Sequence, residues 1–203
     1  MTEDVISNHY ERWSNDELVS RFLGKSVSEY FESEVYFLKQ IIENVDSVLD
    51  IGCASGKYIE LIEQYGKPMR YTGVDIVKKN IDNATINYPE YQFILGNALD
   101  VDLGTGYDLV NAIGVFQHEP CYMTLLSRMI SASVKYVLFD VKFANIKSHL
   151  IDIDLAYVGS SARNYFIMLN FDSFIEELLS LYGIQSVEVY GYPTEINMNT
   201  KIP

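Results

Sequence analysis

The stretch VLDIGCASGKYIELIEQYG, residues 48–66, passes from an apolar run into a cluster of small residues and then into a helix-like pattern. A strand, a tight glycine turn and a helix in that order open the nucleotide-binding α/β folds. Three loops begin this way, and spacing separates them. A dinucleotide fingerprint needs Gly at the first, third and sixth positions of its loop. Counted from Gly52, those positions hold Gly52, Ala54 and Lys57. A P-loop needs four residues between its glycines, followed by Lys and Ser or Thr. Here three residues separate Gly52 from Gly56, and Tyr58 follows Lys57. What remains is an acidic residue, one residue, and Gly-x-x-x-Gly: Asp50, Gly52 and Gly56.

Working outward, short β-like runs alternate with helical patterns, as in an α/β domain with a mainly parallel sheet. Strands are expected over 47–51, 70–74, 91–95, 109–113 and 137–141, with a sixth over 185–190. Helices are expected over 57–64 and 172–181, and around Val77, Ile81 and Ala84, which share one side. Pro120 suits the first turn of another, with Leu125, Leu126, Met129 and Ile130 inward. Ser26 and Glu29 have capping-box spacing, and Phe31, Val35, Leu38 and Ile42 mark an apolar helix face beyond them. A doubly wound sheet binds its ligands beyond the carboxyl ends of its strands. The residues following each strand are therefore the ones to inspect.

Composition excludes several classes of partner. The chain has 203 residues and a formal charge of −13, and its basic residues are scattered, with Lys78-Lys79 the one adjacent pair. A nucleic-acid backbone needs clustered Lys and Arg, so none is expected as partner. At 48% hydrophobic residues the chain can bury a core, and its length is most simply one domain. Cys53 and Cys121 are too few for a disulfide framework. MTEDVISNHYERW lacks the apolar centre of a signal peptide, and no apolar run approaches a membrane span. A cytoplasmic setting with no membrane partner is expected.

The Asp50, Gly52, Gly56 pattern resembles motif I of the class I S-adenosylmethionine-dependent methyltransferases, in which small residues let the ligand's amino-acid portion lie against the backbone. The family often carries a middle glycine where this chain has Ala54. YTGVDI, residues 71–76, places Asp75 after the second strand and is similar to motif II. Gly96-Asn97-Ala98-Leu99-Asp100 is similar to the family's Gly-Asp-Ala segment, with Asn97 in place of the acid. YDLVNAIGVFQHEP, residues 107–120, is similar to motif IV, where a strand, a Gly-Val pair and a histidine follow one another. YVLFDV, residues 136–141, completes the order, and the resemblance spans residues 40 to 191.

The resemblance implies a doubly wound, Rossmann-like α/β fold. It divides the domain into an N-terminal helical lid (1–45), a cofactor-binding core (46–141), a substrate-lid insertion (142–171) and a C-terminal helix and strand (172–203). Residues 191–203 offer no second strong β run, so the family's last strand is expected to be truncated or degenerate. An edge left open that way would invite pairing, with a homodimer as one outcome. The implied cofactor is S-adenosyl-L-methionine. Asp50 would orient its ammonium, and Gly52, Cys53, Ala54, Ser55 and Gly56 would line its amino-acid tail. Asp75 would accept from the ribose, Ile76 would pack on adenine, and Asn97 would accept from the adenine amino group beside Ala98. Ile113 and Tyr10 complete the expected cofactor contacts, with Tyr10 and Trp13 closing over the cleft.

Methyl transfer to a hydroxyl or ammonium releases a proton, which is general-base work. His118 is the expected base, since its neutral form is well populated near pH 7 and the family's acceptor side lies after strand four. Gln117, Asn111 and Asp140 are polar candidates nearby, and Tyr157, Arg163, Asn164 and Tyr165 could line an acceptor pocket. The expected reaction is transfer to oxygen or nitrogen of a small-molecule acceptor. The alternative is a catalytically inactive nucleoside-binding module acting through protein interaction.

Overall fold

The computed structural model describes residues 12–30, 32–67, 69–158, 164–191 and 199–200. Its centre is a five-stranded parallel sheet of β1 (Ser47–Ile51), β2 (Arg70–Asp75), β3 (Gln92–Leu95), β4 (Tyr107–Ala112) and β5 (Ser133–Phe139), in the order β3-β2-β1-β4-β5. Every residue of β1 is buried. That follows from its place mid-sheet, where a parallel strand is covered on both faces and reads as a continuous apolar run.

The helices are α1 (Asp16–Leu23), α2 (Glu32–Ile41), α3 (Tyr58–Tyr65), α4 (Lys78–Asn87), α5 (Tyr122–Ala132) and α6 (Phe171–Leu179). On one face of the sheet Leu38 and Ile42 join Ile59 and Ile62 of α3 against Val48 and Leu109. On the other, Leu125 and Met129 of α5 and Phe174 of α6 pack on Leu49, Ile51 and Val110. Because β1 and β4 alternate their side chains between these two cores, Asp50 and Asn111, paired in register, point to the α2–α3 side. The sheet is the doubly wound α/β architecture expected from the chain.

Some boundaries differ from the reading of the sequence. The Ser26–Glu29 capping box forms, with the Ser26 N–H donating to Glu29 at 2.6 Å, but it opens a one-turn 3-10 segment; α2 begins at Glu32. Phe31 and Pro68 lie outside the described residues. Strand β5 starts at Ser133, directly after α5, because Ser133 pairs with Tyr107 before a shift in register. The strand expected over 185–190 is absent: those residues form no ladder, and Val187, Val189 and Tyr190 are 38%, 56% and 39% exposed. Tyr190 instead rests its ring 4.9 Å from that of Tyr36 on α2, a side-chain hold without strand pairing. Among the described residues β5 therefore ends the sheet. Residues of the expected lid insertion supply β6 (Ala156–Val158) and β7 (Asn164–Tyr165) of a small antiparallel sheet completed by β8 (Asn199–Thr200) of the expected C-terminal segment, in the order β7-β6-β8.

Candidate active site

A cleft of about 360 Å³ opens at the carboxyl ends of the strands, within the range of small-ligand sites. The loop after β1 shapes its base. Gly52 and Gly56 have φ of +72° and +82°, and Ala54 has φ of +46°, alone among the described non-glycine residues in being positive. A side chain at Gly52 would also put its Cβ 2.5 Å from Val115 Cγ2. Glycine is thus required there by backbone and by space. Ala54 occupies a left-handed position at a cost of about 1–2 kcal/mol relative to a relaxed residue. The loop is pinned to β2 by the N–H groups of Gly52 and Cys53, which donate to the Val74 carbonyl at 2.8 and 3.1 Å.

Asp50 is 3% exposed. Its carboxylate accepts from the Tyr71 hydroxyl at 2.5 Å and from the Asn111 amide at 2.7 Å. Burial raises its pKa to about 6, against the opposing pull of those two hydrogen bonds. The amide oxygen of Asn111 is buried beside it without a hydrogen-bond partner among the described residues.

Asp75, at the end of β2, is held on both oxygens. Oδ2 accepts from the Ala54 N–H at 2.9 Å; Oδ1 accepts from the Val77 N–H at 2.8 Å and the Asn80 amide at 3.3 Å. One carboxylate therefore stabilises both the glycine loop and the start of α4 while still lining the cleft. Burial raises its pKa, with those hydrogen bonds opposing. Asn97 turns its side-chain oxygen onto the Leu99 N–H at 2.9 Å, fixing the turn after β3.

At the other end of the cleft, His118 closes a single 3-10 turn (Phe116–His118) after β4. Its Nδ1 lies 2.6 Å from the Tyr165 carbonyl oxygen. A carbonyl only accepts, so Nδ1 carries the proton, and in the neutral ring Nε2 carries the lone pair. The rings of Trp13 and Phe166 meet it edge-on at 4.6 and 5.7 Å. Asp140, just past β5, accepts from the Gly114 N–H at 2.6 Å and pairs with Lys142 at 3.0 Å. Gln117 lines the same wall with a buried side-chain oxygen that has no hydrogen-bond partner among the described residues.

The cleft thus gathers Asp50, Gly52, Cys53, Ala54, Asp75, Ile76, Asn97, Ala98, Ile113 and His118, with Trp13, Asn111, Gln117 and Asp140. Ser55 and Gly56 do not line it: Ser55 is fully buried, and Gly56 is backed by the Tyr88 ring. Tyr10 and Arg163 lie outside the described residues. Tyr157, Asn164 and Tyr165 are not among the residues that line the cleft. Tyr157 and Tyr165 pair across the β6–β7 ladder, Tyr165 and Asn164 are buried, and the backbone of Tyr165 serves the site through His118. Cys53 lines the cleft and also packs against the sheet: its Sγ would lie 2.7 Å from any Cβ on Gly73, and burial pushes its thiol pKa up.

The expected N-terminal lid does supply a wall of the cleft through Trp13, but reading the sequence missed three of its residues. Lys25 and Tyr30, from the segment leading into α2, and buried Glu34, from its first turn, line the cleft together with Asp50. A signal for Glu34 was present: it stands four residues before Leu38 and eight before Ile42, on the buried helix face.

The family described as "Methyltransferase domain" matches residues 48–135. Trans-aconitate 2-methyltransferase of Rhodopseudomonas palustris (strain BisB18) is 33% identical over 85 residues, 42% of this chain and 33% of that enzyme. The Escherichia coli O157:H7 (strain EC4115 / EHEC) enzyme of the same name is 30% identical over 90 residues, 44% of this chain and 36% of its own. The matched segment spans about a third of those relatives. Among solved structures, the DhpI–SAH complex superposes with a TM-score of 0.62 at 16% identity, covering 89% of this chain and 88% of that one. Magnesium protoporphyrin IX methyltransferase (ChlM) from Synechocystis PCC 6803 with bound SAH gives 0.54 at 16% identity, covering 87% of each chain. At such identity the likeness is one of fold.

Proposed function

We propose that this protein, whose residues 48–135 match the methyltransferase-domain family, is a class I enzyme that transfers a methyl group from S-adenosylmethionine to an oxygen or nitrogen of a small-molecule acceptor. The observation that carries the reading is His118 Nδ1 held 2.6 Å from the Tyr165 carbonyl, in a ring that lines the same cleft as Asp50 and Asp75. The names of the matched relatives, which methylate trans-aconitate, support a small acceptor.

The residues present fit the cofactor. A zwitterionic tail requires acceptors for its ammonium, and Asp50 offers a carboxylate beside the unpartnered Asn111 oxygen. A tail lying on the backbone requires room, and Gly114, with φ of +77°, would have nothing within 4 Å of an added Cβ. Asp75 retains acceptor capacity for the ribose beyond its three hydrogen bonds, and Ile76 and Ala98 supply apolar surface for the base. When bound, S-adenosylmethionine supplies a methyl group already activated by its sulfonium. The protein is left to align, exclude water and move one proton. His118 Nε2 takes that proton from the acceptor, and the Tyr165 carbonyl stabilises the imidazolium through Nδ1–H. The rings of Trp13 and Phe166 restrict how His118 can turn and shield it from water.

The test is release of S-adenosylhomocysteine from S-adenosylmethionine across a panel of small alcohols, amines and polycarboxylic acids. Turnover with one class names the acceptor. Tight cofactor binding with no turnover on any member of the panel would sink the proposal.

A further inference from the structure

Of the charged side chains lining the cleft, three are cations: Lys25, Lys57 and Lys142. Lys57 is paired with Glu60 at 2.7 Å, and Lys142 with Asp140 at 3.0 Å. Lys25 differs. Its ammonium lies 3.7 Å from the centroid of the Tyr30 ring, and no carboxylate among the described residues comes within 4 Å of it. A ring face orients a cation without neutralising it. Lys25 sits in the turn between Gly24, which ends α1, and the Ser26 capping box, so its backbone is fixed at both sides.

The surroundings specify the charge of the missing partner. Burial lowers the Lys25 pKa, with Glu34, Glu29, Asp50 and Asp140 opposing at longer range, so its ammonium is a partly desolvated cation. The ligand group that completes this wall must therefore be an anion small enough to enter beside Tyr30. It must also be tolerated close to Asp50, which requires that a cation accompany it. An α-amino carboxylate meets both conditions: its ammonium faces Asp50 and Asn111, and its carboxylate faces Lys25.

We infer that Lys25 is the residue that binds the carboxylate of the cofactor's amino-acid tail, and that the N-terminal wall thereby selects the intact amino acid. This rests on the proposed function, since it takes the tail of S-adenosylmethionine as the ligand. Glu34 and Tyr30 are positioning residues: the buried carboxylate helps keep Lys25 charged, and the ring directs its ammonium into the cleft.

The experiment compares two probes by calorimetry. One is S-adenosylhomocysteine; the other is its decarboxylated analogue, which keeps the nucleoside, the thioether and the amine. The wild-type protein should prefer the first by about tenfold to a hundredfold, the range for a charge-assisted contact. Lys25→Met, which keeps length and removes charge, should weaken S-adenosylhomocysteine by that factor, leave the analogue within about twofold, and so abolish the preference. Lys25→Arg should restore most of it. A preference that survives in Lys25→Met overturns the inference, whether both probes weaken together, as a structural lesion would cause, or neither does. Failure of the wild-type protein to bind S-adenosylhomocysteine at all is a different result, and it would remove the proposed function itself.

Discussion

The base of the cleft takes its residues from the ends of consecutive strands, whereas its N-terminal wall comes from residues 13–34, which join no sheet. In the base, polar groups are densely committed. Asp50 holds Tyr71 and Asn111, Asp75 holds Ala54, Val77 and Asn80, and Asn97 holds Leu99. In the wall, Lys25 meets a ring and, among the described residues, no carboxylate within 4 Å. The difference separates two tasks. A base built from internal hydrogen bonds keeps its shape before a ligand arrives, so little ordering remains to be done on binding. A wall with an uncommitted charge contributes selectivity, because its interaction is completed only by the correct group.

The contrast is tested most sharply at His118, which follows β4 at the other end of the cleft and is the proposed proton acceptor. His118→Asn keeps an N–H for the Tyr165 carbonyl and removes the base. Turnover should fall about 10²–10³-fold while S-adenosylhomocysteine affinity changes less than threefold, as read by kcat and calorimetry. Unchanged kcat would mean the acceptor is methylated by proximity alone.

Next in size is the rigid loop. Gly52→Val meets a positive φ and Val115 at once. Cofactor affinity should drop by about a hundredfold, and the protein should lose roughly 2 kcal/mol of stability in denaturant titration. A variant that binds normally would show that the base yields more than its hydrogen bonds suggest.

A smaller effect comes from Asp50. Its pKa of about 6 lies above the unfolded value of 3.8, so folding favours the protonated form, and this group's contribution to stability declines as pH rises from about 4 to 6. An ammonium beside it favours the ionised form instead. S-adenosylhomocysteine affinity should therefore rise about tenfold from pH 5 to pH 7, with proton release on binding near pH 6. Asp50→Asn should flatten that profile. A flat wild-type profile would show that the ammonium does not sense this carboxylate.

The least effect is expected at Ala54. Glycine relieves its left-handed conformation but loses more chain entropy on folding, so Ala54→Gly should stabilise the protein by about 0.5 kcal/mol in a melt, with cofactor affinity unchanged. Loss of affinity would mean that the methyl group touches the ligand.

The base was legible in the sequence because each of its parts is local. β1 and β2 are buried on both faces and so read as apolar runs, and the residue types after them are dictated by a turn or a cap. The start of β5 was not legible, since Ser133 and Lys135 give no alternation and the pairing with Tyr107 is a tertiary event. The converse error lies at 185–190, where QSVEVY has strand propensity but no neighbouring strand to pair with, and propensity is overridden by context. Within the expected N-terminal lid, Lys25 escaped because an isolated lysine in a turn carries no pattern. Its meaning comes from Tyr30, five residues on, and from Asp50, reached only through the packing of α2 against the sheet.

The buried thiol of Cys53 has a kinetic consequence. Wedged over Gly73, 4% exposed and with its pKa pushed up, it meets an alkylating reagent only during excursions in which the glycine loop parts from β2. Cys121, half-buried at the start of α5, supplies a reference thiol on the same molecule. The ratio of their modification rates is then an intrinsic clock for the opening of the site. Each ligand that holds the loop against β2 would slow one hand of that clock and leave the other running.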